Sequence, residues 1–170
     1  MYQEFSKLHL HSWRIVNMDP IGRAQDNKKL LLKPSQFNKM VDFIKEKRPF
    51  SKMEITYSCS GFLGPKYEGK VRNWLFNCLT GITTASILHN GDIFVCPNVN
   101  RRPELIQGNI RNNDFYDTWQ NKFKIFRQKN RTSCSNCKKC SEWENCYGGP
   151  FHLWDFDKKQ PKICHLKYLK

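Results

Sequence analysis

Long apolar runs are missing from this 170-residue chain. Nothing in it approaches the roughly 18 consecutive apolar residues of a membrane-spanning helix, so a membrane protein is not the expectation. The opening Met1-Tyr2-Gln3-Glu4-Phe5-Ser6 lacks the basic-then-apolar layout of a secretory signal, which makes the cytoplasm the expected compartment. Internal repeats and low-complexity segments are absent, and collagen, coiled coil and secreted mini-protein are set aside as well. No phosphate-binding glycine loop occurs. Ser60 and Ser86 lack the context of a nucleophile elbow. His9 and His11 alternate as in a strand, with no metal-ligand partner nearby. No catalytic residue is therefore assigned.

Acidic residues are also scarce. Asp plus Glu number 15 against 29 Lys plus Arg, for a net charge of +14. Such an excess suits nucleic acid, an acidic peptide or an acidic partner surface, and equally a merely soluble basic surface. The basic residues are spread out, with short clusters at Lys45-Lys47-Arg48 and Lys138-Lys139. What the chain does have is core material, with 39% hydrophobic and 14% aromatic residues. That is enough for one ordinary domain or two small ones.

Periodicity predicts a buried strand over residues 13–18, broken by Asp19-Pro20-Ile21-Gly22-Arg23. Lys33-Pro34-Ser35 reads as a helix entry with Ser35 as N-cap. Phe37, Met40, Val41 and Ile44 then mark one helical face as far as Lys47. Met53, Ile55 and Tyr57 alternate as a second strand. Strand, helix and strand in this order predict a parallel α/β unit. Beyond Cys59, Ile87-Leu88 and Ile93-Phe94-Val95 flank Asn90-Gly91, a tight-hairpin signal in which both central residues take positive φ. Phe115, Trp119, Phe123 and Phe126 predict one amphipathic helix whose aromatic face is core.

The eight cysteines carry the chemistry: Cys59, Cys78, Cys96, Cys134, Cys137, Cys140, Cys146 and Cys164. Without a secretory signal, structural disulfides are not expected. The short spacings between Cys134 and Cys146 are those of metal chelation. Zinc on thiolates, in a basic protein that binds RNA, is one reading, although two-residue cysteine spacing occurs at one end only. A bacterial ferredoxin run begins at Cys134-X2-Cys137-X2-Cys140, but Glu144 stands where its next cysteine belongs.

Two patterns go further. Cys78, twelve residues, Gly91, four residues and Cys96 form the first. Cys137-X2-Cys140-X5-Cys146 with a distant Cys164 forms the second. Together they resemble the SPASM extension of radical S-adenosylmethionine enzymes that modify peptides and proteins, and six of its seven cysteine positions are matched. Pro150 occupies the seventh. The resemblance spans about residues 59–170 and includes Gly108-Asn109-Ile110 and the helix that follows. Residues 13–23, the helix and the strand at 53–57 are similar to the end of the radical enzyme's partial barrel. The family's CX3CX2C motif is missing.

The resemblance implies an α+β chain. Residues 1–58 would be the remnant of the last β/α units of a partial (β/α) barrel. Residues 59–170 would be a small SPASM-like iron–sulfur domain with a β-hairpin and helices. It implies one auxiliary 4Fe–4S cluster on Cys137, Cys140, Cys146 and Cys164, and a second on Cys78 and Cys96, for which the spare thiols Cys59 and Cys134 are candidate ligands and His152 a further one. Arg14 and Arg23 are the candidates for contact with S-adenosylmethionine. That cofactor is expected only with a complementing N-terminal half; a separately encoded half and a truncated gene product are the two alternatives for this chain. The implied function is electron transfer and binding of a peptide or protein substrate, without cleavage of S-adenosylmethionine by this chain alone. Nucleic acid is not an expected partner on this reading.

Overall fold

The structure is a computed structural model and describes residues 1–128 and 134–169. Residues 129–133 and 170, which the sequence reading includes in the cysteine-rich half, lie outside the described residues. The chain forms two compact units, Met1–Asn77 together with the stretch from Ile163, and Cys78–Lys162. Among the described residues no helix is long and apolar enough to cross a membrane.

The first unit is a β–α–β element. Strand β1 (Ser12–Ile15) pairs in parallel with β2 (Glu54–Tyr57), Ser12 opposite Glu54 and Ile15 opposite Tyr57. Helix α2 (Pro34–Lys47) makes the crossover, and the short α1 (Tyr2–Phe5) precedes β1. The expected strand over 13–18 stops at Ile15, because Asn17 and Asp19 turn into side-chain hydrogen bonds instead of a ladder. The helix also starts one residue early. Pro34 takes the first helical position, where its missing N–H costs nothing, and Lys33 rather than Ser35 is the N-cap. The Gln36 side chain accepts the Lys33 backbone N–H at 2.9 Å, half of a capping box.

Phe37, Val41 and Ile44 of α2 are buried with Met53, Ile55 and Tyr57, and Leu63, Tyr67 and Val71 close the same core. Instead of alternating, Ile55, Thr56 and Tyr57 are all buried, as a strand covered on both faces requires. Near Tyr57, Arg72 is fully buried and lies 3.4 Å from the Glu68 carboxylate, itself 1% exposed. Glu68 also accepts the backbone N–H groups of Leu63 (2.9 Å) and Phe76 (3.0 Å). Arg72 donates to the Gly61 carbonyl at 3.0 Å and lies over the rings of Tyr57 and Phe76. Burial pulls its guanidinium below the usual arginine range, and the Glu68 charge opposes that shift.

At the C-terminal ends of β1 and β2 a polar network replaces the ladder. The Tyr57 hydroxyl donates to Asn17, and Asn17 donates to Asp19 at 2.8 Å. Ser60 donates to the other Asp19 oxygen at 2.8 Å and shares a 2.9 Å hydrogen bond with Ser58. His165 joins through Nδ1, 2.8 Å from the Ser60 carbonyl, with its ring stacked 4.5 Å from Phe37. Burial, then the Asp19 charge, pushes the Tyr57 hydroxyl far above the usual tyrosine range, so it acts as a donor at any physiological pH.

The second unit consists of short elements. Strands β3 (Ser86–Ile87) and β4 (Asp92–Phe94) form the expected hairpin, and β5 (Gly108–Asn109) extends it on the far side of β4. The turn differs from the expectation. Leu88 N–H bonds the Asp92 carbonyl at 2.9 Å, leaving a three-residue loop, and only Gly91 of Asn90-Gly91 has positive φ. A Cβ at Gly91 would lie 2.8 Å from Asn109 Oδ1, so both φ and space select glycine. The expected single aromatic helix is broken: α3 (Phe115–Asn121) ends and a 3-10 turn, Phe123–Arg127, follows. Phe123 and Phe126 are core, whereas Phe115 is 40% exposed. Helices α4 (Ser135–Lys138) and α5 (Trp143–Cys146) and the hairpin β6 (Trp154–Asp155) and β7 (Gln160–Pro161) complete the unit.

Two stability predictions follow from the first unit. Arg72→Met leaves a buried carboxylate without its cation and is expected to cost about 3–5 kcal/mol. Adding Glu68→Gln should recover part of that loss in urea denaturation. His165→Phe keeps a ring on Phe37 but strips the Ser60 carbonyl of its donor, and should cost about 1–3 kcal/mol. Cys164 should then react faster with a thiol reagent, because its neighbour no longer fixes the segment.

Candidate metal centre

Cys134 is buried and occupies the N-cap of α4, where its carbonyl accepts the Lys138 N–H at 3.0 Å. Cys137 lies within α4, and Cys146 is the last residue of α5. The backbone links these positions in series. The Cys137 carbonyl accepts the Cys140 N–H, and the Cys140 carbonyl accepts the Trp143 N–H, both at 3.0 Å. Glu142 accepts from Cys146 at 2.9 Å, and Cys146 accepts from Gly149 at 3.0 Å. Two-residue spacing thus becomes a succession of tight turns that keeps Cys137, Cys140 and Cys146 on one short stretch, all half-buried.

After Cys146 the backbone is left-handed for three residues, Tyr147 at φ 48° and Gly148 and Gly149 at 84°. Tyr147 holds this conformation despite its side chain. A Cβ on Gly149 would have no heavy atom within 4 Å. There the glycine serves the backbone conformation, with open space beside it.

The remaining cysteines are distributed over both units. Cys96 follows β4 and accepts the Val99 N–H at 3.1 Å. Cys78 opens the second unit and is 8% exposed. Cys59 and Cys164 belong to the first unit. Cys59 is exposed and precedes Ser60; Cys164 is half-buried and precedes His165. The Ser60–His165 hydrogen bond therefore ties together the two segments that carry them. Arg14 is exposed on β1, and Arg23 is exposed in the turn Gly22–Ala24.

Among the described residues, no three Cys, His, Asp or Glu side chains form a group that could hold a metal ion. The chemistry of the donor set nonetheless fits a soft centre, since closely spaced thiols on turns favour zinc or iron–sulfur ligation over hard cations. Sequence reasoning missed the Asn17–Tyr57–Asp19–Ser60 network and the Glu68–Arg72 pair. Asn17 and Asp19 did give a signal, being polar residues directly after an apolar strand. Arg72 gave none.

Comparison with known proteins bears on this donor pattern. Residues 78–141 match the family model of SPASM, the iron–sulfur cluster-binding domain. Comparison with curated proteins finds no match. Among solved structures, hexahistidine-tagged anSMEcpe with bound AdoMet is similar over 99% of this chain and 45% of its own, with 20% identity and a TM-score of 0.57. Native anSMEcpe with bound AdoMet and Cp18Cys peptide is similar over 99% of this chain and 47% of its own, with 19% identity and a TM-score of 0.55. The form with Kp18Cys peptide gives 19% identity and 0.54. The chain spans less than half the length of these proteins, and at this identity the likeness is one of fold. Residues 78–141 thus match an iron–sulfur cluster-binding domain model, SPASM, within a chain whose fold is similar to part of anSMEcpe.

Proposed function

We propose that this chain is the auxiliary-cluster portion of a peptide- or protein-modifying enzyme of the radical S-adenosylmethionine class. The observation that carries the reading is the SPASM match over residues 78–141. Residues 1–58 serve as the end of the partial barrel and 59–170 as the SPASM-like domain. Cys137, Cys140 and Cys146, with Cys164 as the fourth ligand by sequence pattern, would hold one 4Fe–4S cluster. Cys78 and Cys96, with Cys59 and Cys134, would hold a second, because Pro150 offers no side-chain ligand at the family's usual position. Such clusters supply one-electron transfer when bound. The chain's own contribution is to set ligand spacing through the α4–α5 turns and to bind a peptide partner, a role supported by the peptide-bound state of the similar structures. Arg14 and Arg23 would meet S-adenosylmethionine only in a completed barrel, and the site of action is the cytoplasm.

Anaerobic reconstitution tests the cluster assignment. The protein should take up iron and acid-labile sulfide in preference to zinc. Cys140→Ala should abolish one cluster and lower the stability of the cysteine-rich stretch, because metal binding and folding are coupled there. Cys78→Ala should lower iron content separately. Stoichiometric zinc without sulfide would overturn the reading in favour of a zinc protein that binds RNA.

Activity supplies a second test. Reductive cleavage of S-adenosylmethionine needs an iron site of the CX3CX2C kind, and the sequence contains no such motif. The isolated chain should give no 5′-deoxyadenosine with S-adenosylmethionine and a strong reductant, by chromatographic analysis. A protein that supplies further barrel strands and the CX3CX2C motif should restore it. Product from the pure chain alone would refute the assignment.

A further inference from the structure

A basic cleft in the first unit lies at the start of β2, and no cysteine lines it. Its volume is about 550 Å³, within the range of ligand-binding clefts, and its walls include Lys45, Arg48, Pro49, Met53, Glu54 and Lys70. Part of this charge has a local explanation, since cations at the end of α2 complement the helix dipole. That does not account for Lys70, which is distant in sequence from α2, or for how Arg48 is held.

Arg48 donates through Nη1 to the Gly69 carbonyl at 3.4 Å and through Nη2 to Asn73. Asn73 in turn donates to Glu54 at 2.5 Å, so the amide stands where a direct ion pair would form. Arg48 Nε is buried and has no hydrogen-bond partner. Among the described residues, none of Lys45, Arg48 and Lys70 forms a salt bridge. Three positive charges thus line one cleft without a carboxylate paired to any of them.

We propose that this cleft binds an acidic peptide segment, with a carboxylate held between Lys45 and Lys70 in the positive field of Arg48 and an apolar neighbour against Pro49. Charge and shape favour a peptide over nucleic acid. Glu54 in the wall repels a continuous ladder of phosphates, whereas spaced carboxylates avoid it. Pro49 is exposed and offers an apolar contact that a sugar–phosphate backbone does not need. The site requires no bound cluster and stands independently of the iron–sulfur assignment.

Fluorescence anisotropy with the full chain and a labelled peptide of alternating glutamate and leucine tests this. The peptide should bind at low salt and weaken as salt rises, and its glutamine counterpart should not bind. The Lys45→Glu/Lys70→Glu variant, with an unchanged circular dichroism spectrum, should bind at least about tenfold more weakly. If that variant misfolds, Lys45→Gln/Lys70→Gln should show a smaller loss in the same direction. Unchanged affinity in a folded variant would overturn the proposal. So would equal binding of the glutamine peptide, tighter binding of oligouridylate, or complete displacement by millimolar inorganic phosphate.

Discussion

The Glu68–Arg72 pair is the constraint on which the first unit depends. Both side chains are almost wholly out of water, where an isolated charge is costly and only a partner with further hydrogen bonds offsets the cost. Glu68 finds these in the N–H groups of Leu63 and Phe76, and Arg72 in the Gly61 carbonyl. Three points of the irregular stretch 61–76 are thereby fixed to one ion pair. The guanidinium also lies over Tyr57, the last residue of β2. A segment with no strand and no long helix is held against the sheet by charge as well as by apolar packing.

That anchoring matters because the chain turns polar where the parallel strands end. Asn17 and Asp19 after β1, and Ser58 and Ser60 after β2, bond one another instead of extending the ladder. The carboxyl ends of parallel strands are where α/β folds place binding and catalytic groups. Here the network satisfies its own polar atoms and supports the segments next to it, one bearing Cys59 and the other Cys164. Arg72 adds a positive charge that acts electrostatically on Cys59.

Features encoded by local pattern were legible in the sequence. The α2 face of Phe37, Val41 and Ile44, the parallel order of β1 and β2, and the hairpin at Gly91 all follow from periodicity or turn chemistry. The resemblance to SPASM was likewise legible in cysteine and glycine spacing, and the family model matches residues 78–141 of it. What escaped depends on long-range partners. Ser60 and His165 are 105 residues apart, and no window of sequence couples them. Arg72 lies in a stretch without period, and its role appears only with Glu68, Gly61 and Tyr57 around it. The turn was misread because Asn-Gly suits a two-residue loop, whereas the bond between Leu88 and Asp92 sets a three-residue one with Gly91 as its left-handed member. The break after α3 has a similar origin: Phe123 and Phe126 satisfy the core from a 3-10 turn, so helical spacing was sufficient but not necessary.

The contrast within the second unit bears on how its cysteine-rich stretch is ordered. Around β4 the order comes from packing: Ile93, Phe94 and Val95 are buried, as are Phe123, Phe126 and Phe151, with the Phe126 and Phe151 rings 5.2 Å apart. Helices α4 and α5 bury no residue at all. Four-residue helices are far below the length that is stable by itself in water, so backbone turns alone are a weak source of order there. Tyr147 adds a left-handed residue that needs support from its surroundings. On the iron–sulfur reading these observations share one cause. Thiolate ligation would supply to this stretch the stability that apolar burial supplies to the rest of the unit, and the cysteines would be structural as much as electronic.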